Sequence, residues 1–208
     1  MQYYTGNSEL DKYIEESLSI LFYGPAGAGK TTLLLTIAGE LCKLHSCVYV
    51  STEETLHYER VAKYPDKYEK ALFTEAYDYD ELLKTAIAVS ALKPRYVFID
   101  SINSLFRLEA LKEGSVEKLA FITSLLLETV ERNSGKLFAS AQVRSSEAGE
   151  VEASGIKILD YYFDLIVSIL IDSENKRILR VIKFPVKAIK EAIELKFAIT
   201  ESGVVWYA

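Results

Sequence analysis

Nine consecutive residues have the types and the spacing that bind a nucleoside triphosphate. They run from Gly24 to Thr32 with the spacing G-x-x-x-x-G-K-[ST], which forms a loop whose backbone N–H groups surround phosphate oxygens. The glycines allow a close approach, and the start of a following helix adds partial positive charge. We expect Lys30 to reach the β- and γ-phosphates and the Thr31 hydroxyl to bind Mg²⁺. The predicted nucleotide-binding residues of this loop are Gly24, Pro25, Ala26, Gly27, Ala28, Gly29, Lys30, Thr31 and Thr32.

Acidic and amide side chains follow three other apolar segments. Asp100 ends one of them, where a carboxylate can hold Mg²⁺ through a water molecule and face Thr31. Glu53 and Glu54 follow another, where a carboxylate can polarise the attacking water, and Gln142 ends a third, where an amide could sense the γ-phosphate. Each also has an ordinary explanation as a cap, a helix start or a strand end. Because ligands of α/β proteins bind at the carboxyl ends of the strands, we predict that these residues converge on the loop.

Strands and helices alternate along the first three quarters of the chain. Short apolar runs predict buried strands, and apolar residues three or four apart predict helices. Such alternation predicts an α/β fold with a mostly parallel sheet flanked by helices. The predicted strands are residues 18–23, 47–51, 71–76, 96–100 and 137–142, and the predicted helices are residues 11–16, 30–44, 54–63, 79–92 and 117–131.

The last quarter of the chain has the pattern of antiparallel strands. Runs at 164–171 and 177–183 flank a polar segment, which is typical of a hairpin, and runs at 194–199 and 204–207 flank a second turn at Gly203. No linker or repeat divides the sequence. We therefore predict one domain over residues 1–208, with an N-terminal segment at 1–17, a core at 18–160 and an antiparallel extension at 161–208.

Composition and charge limit the classes of partner. The formal net charge of −6 argues against a broad basic surface that coats nucleic acid. No apolar run reaches ~18 residues and the start lacks a signal-peptide pattern, so we expect a cytoplasmic protein that does not enter a membrane. Cys42 and Cys47 are predicted to be structural thiols, because a metal site would need more ligands than His45 and His57 can add.

Several segments in order along the chain resemble the RecA/RadA recombinase family. The segment 48–55 with Glu59 and Arg60 is similar to the second-strand motif of that family, and 98–107 resembles its Walker B strand and first DNA loop. Further similar segments are 140–143, which matches the strand before the second DNA loop, 5–11 near the N-terminus, and 197–203 in the final hairpin.

The resemblance implies a RecA-like phosphate-loop ATPase core that uses ATP and Mg²⁺. It implies that Glu53 is the water-activating base, that Lys30 and Gln142 act on the γ-phosphate with Gln142 as its sensor, and that Arg60 packs on the adenine. Mg²⁺ would be held by Thr31 and Asp100. Candidate contacts to the phosphate of a neighbouring subunit or to DNA are Lys183, Arg107 and Arg144.

The length of the chain narrows the resemblance to archaeal RadA paralogues of the RadB type, and the paired Glu53-Glu54 is also similar to KaiC-type ATPases. Two departures concern DNA. Ala141 stands where recombinases usually carry Asn, and the region 144–154 holds three glutamates against one arginine, so it should repel phosphates.

We therefore expect an ATP-binding, slowly hydrolysing recombinase paralogue or regulator in DNA recombination and repair. Its expected partners are a RadA-type recombinase and, weakly, single-stranded DNA, and it could form oligomers. Two alternatives remain open: a nucleotide-gated protein-interaction module, and a KaiC-like signalling ATPase without DNA binding.

Overall fold

The chain folds around one mixed β-sheet. A computed structural model describes residues 3–53, 58–145, 151–153, 155–172, 176–186, 188 and 193–207. The strands are β1 (Ser19–Gly24), β2 (Cys47–Ser51), β3 (Ala71–Glu75), β4 (Tyr96–Asp100), β5 (Lys136–Ser145), β6 (Val151–Ala153), β7 (Leu165–Ile171), β8 (Arg177–Lys183), β9 (Glu194–Thr200) and β10 (Gly203–Trp206). The helices are α1 (Ser8–Glu15), α2 (Lys30–Leu41), α3 (Tyr58–Lys63), α4 (Tyr79–Leu92), α5 (Ser104–Glu109), α6 (Ser115–Arg132) and α7 (Ile156–Tyr162).

The sheet has a parallel part and an antiparallel part. Its strand order is β10-β9-β8-β7-β1-β5-β4-β2-β3, and β6 pairs with the end of β5. The strands from β7 to β3 in that order run parallel, whereas β8, β9 and β10 join as antiparallel neighbours. The predicted fold class, a mostly parallel sheet flanked by helices with C-terminal antiparallel strands, is confirmed.

Both faces of the parallel strands are buried, which explains their continuous apolar runs. On one face, α2 covers an aromatic row formed by Tyr49, Phe98 and Phe138 on neighbouring strands. The successive ring centroids in this row lie 5.8 Å and 5.0 Å apart. On the other face, α4 and α6 pack through Leu82 and Ile122. The sheet is therefore fixed on both sides, and its strand ends form a rigid edge.

The N-terminal segment is fixed internally by a buried carboxylate and joined to the sheet by an indole. Asp11 of α1 accepts hydrogen bonds from the Thr5 backbone N–H (2.8 Å) and the Thr5 hydroxyl (2.7 Å). The Trp206 indole N–H of β10 donates to the Thr5 carbonyl at 2.8 Å. The bond from Trp206 therefore joins the predicted N-terminal segment to the last strand of the sheet.

Three features differ from the sequence-based expectations. The strand predicted to end near Gln142 continues to Ser145, because β6 folds back and pairs with its last residues. The short helices α5 and α7 were not predicted, since six or seven residues carry little periodic signal. The helix predicted to reach residue 44 ends at Leu41. No helix in the described ranges is both long and apolar enough to cross a membrane.

The prediction of two free structural thiols is wrong. Cys42 and Cys47 form a disulfide, with their Cα atoms 5.5 Å apart. The turn after α2 returns the chain directly to the start of β2, which brings the two Cα atoms into the range that a disulfide requires. Both cysteines are buried.

Candidate functional site

The predicted site residues meet at one edge of the sheet. A cavity of about 280 Å³ lies where the phosphate loop leaves β1 and where β2 and β4 end. Sheet register explains the convergence, because Gln142 pairs with Gly24 and Ser51 pairs with Asp100. The residues that line the cavity are Ala26, Gly27, Gly29, Lys30, Thr31, Thr32, Glu53, Asp100, Gln142 and Ile199.

The loop backbone depends on glycine at two positions. A Cβ atom on Gly24 would lie 2.2 Å from the Ile169 carbonyl oxygen, because β7 approaches β1 closely at this level. Gly29 has a φ of 100°, and a Cβ there would lie 2.8 Å from the Ile199 side chain. A side chain at Gly24 would therefore collide with the backbone of β7, and a residue other than glycine at Gly29 would be strained by the left-handed φ. Gly24, Pro25 and Ala28 do not line the cavity, and they shape the loop instead.

The Lys30 ammonium lies across the loop. It donates to the carbonyl oxygens of Gly24 and Pro25, both at 2.8 Å, and only 7% of the residue is exposed. Burial lowers the pKa of Lys30, and the nearby charges of Asp100 and Glu53 partly offset that effect. The ammonium therefore has a fixed position on the floor of the cavity, beside two carboxylates.

Asp100 is held by hydroxyl groups on both neighbouring strands. The Tyr49 hydroxyl of β2 donates to its Oδ2 at 2.9 Å, and the Ser140 hydroxyl of β5 donates to its Oδ1. Tyr49 is fully buried, and its burial, followed by the charge of Asp100, raises its pKa well above the ordinary tyrosine value. Tyr49 therefore remains a hydrogen-bond donor, and the orientation of the carboxylate is set from two sides.

Glu53 belongs to a chain of polar contacts beyond the strand ends. Its Oε1 accepts from the Ser101 hydroxyl and its Oε2 accepts from the Gln142 amide Nε2, both at 2.6 Å. The Gln142 Oε1 in turn accepts from Arg107 Nη1 at 3.0 Å. The chain Arg107–Gln142–Glu53–Ser101 thus links α5 to the cavity.

The donors present fit a magnesium ion that is shared with a phosphate. Thr31 and Asp100 line the same cavity, and hydroxyl and carboxylate oxygens are ligands that Mg²⁺ prefers. Among the described residues no group of three or more His, Cys, Asp or Glu side chains could hold a metal ion. A protein site of this kind needs phosphate oxygens and water to complete the coordination.

Arg60 lies next to the cavity without lining it. Its Nη1 donates to the Thr32 hydroxyl at 2.9 Å. It also lines an adjoining cavity of about 390 Å³ that Thr32 shares. The Arg60 guanidinium of α3 therefore contacts Thr32, at the end of the phosphate loop, between α2 and α3.

The other three predicted contacts lie in different places. Lys183 pairs with Ile166 near the start of β7, at the end of the sheet opposite the phosphate loop, and its ammonium donates to the Asp160 carbonyl. Arg107 bonds to Gln142 within the site. Arg144 lies on β5 in register with Glu152 of β6, and its side chain and the whole of Glu54 lie outside the described part of the chain.

Sequence reasoning missed the residues that hold the predicted ones. Tyr49, Ser101 and Ser140 bond to the two carboxylates, and Ile199 reaches the cavity from β9. The sequence did contain one signal for them, because Tyr49 and Ser140 place a hydroxyl group within an otherwise apolar run. The acceptor of each hydroxyl could not be predicted from the sequence, since it depends on which strands are neighbours in the sheet.

Comparisons with known proteins agree with this geometry. The sequence profile of the ATPase family associated with various cellular activities (AAA) matches residues 20–144, which is more than half of the chain and covers β1 through most of β5.

Similar proteins extend the match beyond that range. The chain is 26% identical to DNA repair and recombination protein RadB of Methanocaldococcus jannaschii, over 91% of this chain and 93% of that protein. It is 27% identical to RadB of Methanosphaera stadtmanae, over 96% of this chain and 94% of that protein. DNA repair protein RadA of Streptococcus pneumoniae is 27% identical over 79% of this chain and 38% of its own length. The chain belongs to the AAA family of ATPases, and it is a RadB-like member of the RecA/RadA superfamily.

Proposed function

We propose that this protein binds ATP with Mg²⁺ and hydrolyses it slowly. The observation that carries the proposal is that Lys30, Glu53, Asp100 and Gln142 line one cavity beside the phosphate loop. An ammonium, two carboxylates and an amide around one cavity can together support in-line attack of water on a γ-phosphate.

Each residue has a separate task in this reaction. The loop N–H groups and Lys30 hold the β- and γ-phosphates, and Thr31 and Asp100 hold the metal ion. Bound Mg²⁺ supplies positive charge against the charge that develops on the phosphate oxygens. Glu53 accepts a proton from the attacking water and so orients it, and Gln142 donates its amide N–H to the γ-phosphate. Arg60 packs on the adenine, which its bond to Thr32 supports.

The biological role that we propose is that of a recombinase paralogue or regulator in DNA recombination and repair. The names of the RadB and RadA relatives support this role. A RadA-type recombinase is the expected protein partner, oligomers are compatible with it, and the role predicts a cytoplasmic protein. The net charge of −6 favours at most weak binding of single-stranded DNA.

One observation favours a second candidate, a nucleotide-gated interaction module with negligible turnover. Both Glu53 oxygens already accept hydrogen bonds from protein groups. A base engaged in this way would leave ATP bound and intact until a partner rearranged the site.

Phosphate release from ATP in the presence of Mg²⁺ separates the two candidates. We expect slow turnover by the wild type and a fall of about 100-fold in Glu53→Gln, because a general base contributes on that order. Glu128→Gln, on the exposed side of α6, is the matched control and should hydrolyse ATP at the wild-type rate. ATP binding without turnover by the wild type would support the interaction module instead.

The DNA role has its own test. A salt titration of single-stranded DNA binding should give weak affinity that falls steadily with salt. Absence of binding at low salt would remove DNA as a direct ligand and leave the protein partner.

A further inference from the structure

The mechanism above gives no task to Arg107 or Ser101, the two ends of the polar chain, and Arg107 is the charged one of the two. We propose that Arg107 is a positioning residue, which fixes the orientation of the Gln142 amide and thereby sets how strongly the site distinguishes ATP from ADP. The inference rests on the proposed function, because it concerns recognition of the third phosphate.

Hydrogen-bond chemistry allows the Gln142 amide only one orientation. A guanidinium can only donate and a carboxylate can only accept. Arg107 therefore requires the amide oxygen on its side, and Glu53 requires the amide nitrogen on the other, which is the arrangement found. A flipped amide would set donor against donor and acceptor against acceptor.

The same helical turn that carries Arg107 also holds the Gln142 backbone. The Asn103 side chain accepts from the Gln142 N–H and donates to the Gln142 carbonyl, both at 2.9 Å. Asn103 is fully buried, and it lies four residues before Arg107, on the same helical face. The main chain of Gln142 is thus held by Asn103, the residue that precedes α5, and its side chain by Arg107 within α5.

The interposed amide also separates two charges. A direct ion pair between Arg107 and Glu53 would neutralise the base that the reaction needs. With Gln142 between them, the arginine polarises the amide and makes its N–H₂ group a better donor. Among the described side chains Gln142 is the one to which the Arg107 guanidinium donates, and Arg107 Nε is buried without a partner. The arginine therefore acts on the site through Gln142.

A γ-phosphate would meet Gln142 at its N–H₂ group. This group carries two hydrogens, and one of them donates to Glu53 Oε2 in the present structure. A γ-phosphate oxygen would accept from the second hydrogen, or replace Glu53 as acceptor of the first and so leave Glu53 Oε2 able to accept a proton from water. ADP, which lacks the third phosphate, would leave the Gln142–Glu53 bond unchanged.

The test measures binding of ADP and of a non-hydrolysable ATP analogue by calorimetry, to the wild type, Arg107→Met, Gln142→Met and the double variant. We expect the preference for the analogue to fall about fivefold in Arg107→Met, the effect of one hydrogen bond, while ADP affinity changes less than about twofold. The double variant should equal Gln142→Met, because the arginine acts through the amide. Arg107→Lys, which retains a donor, should recover part of the preference.

Controls make each outcome decisive. Arg132→Met removes an exposed arginine that pairs with Glu128 along α6, and it should leave the preference unchanged. An unchanged preference in Arg107→Met, or a loss in the double variant that multiplies the two single losses, overturns the inference. If Arg107→Met fails to fold, the preference for the analogue must still fall in Gln142→Met and, to a smaller extent, in Arg107→Lys, with ADP affinity kept in both, or the inference is overturned. Wild-type binding of both nucleotides without hydrolysis would contradict only the proposed catalysis, whereas absence of any binding would overturn both.

Discussion

The two carboxylates of the site are held by different parts of the molecule. Asp100 ends β4 inside the sheet, where hydroxyls on β2 and β5 bond to it. Glu53 lies beyond the end of β2, and its partners Ser101 and Gln142 belong to a chain of side chains that continues to α5. The side of the site that we assign to the metal ion is therefore part of the packed core. The side that we assign to the attacking water, Glu53 with Ser101 and Gln142, is a set of side-chain contacts beyond the strand end, and we propose that a ligand exchanges them.

This difference suggests a division of labour. A metal ligand must keep its geometry through every turnover, and a position inside the sheet provides that rigidity. A general base must change partners between the resting site and the reacting one. The two sides should therefore respond differently to the loss of single groups.

The largest effect is expected at the metal side. Asp100→Asn removes a charge from the Mg²⁺ position, so we expect the maximal rate of hydrolysis to fall about 100-fold, with partial recovery at high Mg²⁺. A magnesium titration of phosphate release measures this. Asp160→Asn, an exposed aspartate far from the loop, serves as the control. A variant with wild-type rates at low Mg²⁺ would show that Asp100 does not hold the metal.

A smaller effect is expected when the support of Asp100 is removed. Tyr49→Phe deletes the hydroxyl that donates to Asp100 Oδ2, while the Ser140 hydroxyl still donates to Oδ1. We expect the Mg²⁺ concentration for half-maximal rate to rise about fivefold and the free energy of unfolding to fall by about 1 kcal/mol. The magnesium titration of phosphate release tests the first expectation, and denaturant unfolding tests the second. Loss of stability with an unchanged Mg²⁺ response would mean that Tyr49 supports the sheet and not the metal site.

Sequence reasoning succeeded where the information was local. The loop motif at Gly24–Thr32 and the apolar runs of β1, β2 and β4 carry their own signal, so these elements and the residues at their ends were predictable. The bonds from Tyr49 to Asp100 and from Arg107 to Gln142 join residues 51 and 35 positions apart. They depend on strand order and on the unpredicted helix α5, which no local pattern contains. The disulfide was missed because it depends on how the turn after α2 closes.

The smallest effect is expected when one hydrogen-bond partner of Glu53 is removed. Ser101→Ala removes one donor to Glu53, while Gln142 still holds the other oxygen. If, as we propose, these partners exchange during the reaction, the rate of hydrolysis should change about twofold and the unfolding free energy by less than about 0.5 kcal/mol. Phosphate release and denaturant unfolding, run beside Tyr49→Phe, measure both. A larger stability loss than in Tyr49→Phe would reverse the assignment of rigid and exchangeable sides.

The most direct test of the account is calorimetric titration of ATP with Mg²⁺ into the wild type and Lys30→Ala. Lys43→Ala, which removes an exposed lysine beyond the end of α2, is the matched control. We expect binding to the wild type and to the control, and a loss of affinity of about 100-fold in Lys30→Ala, because a charge-assisted contact to two phosphates disappears. Equal affinity of Lys30→Ala and the wild type would contradict the assignment of the loop as the phosphate site.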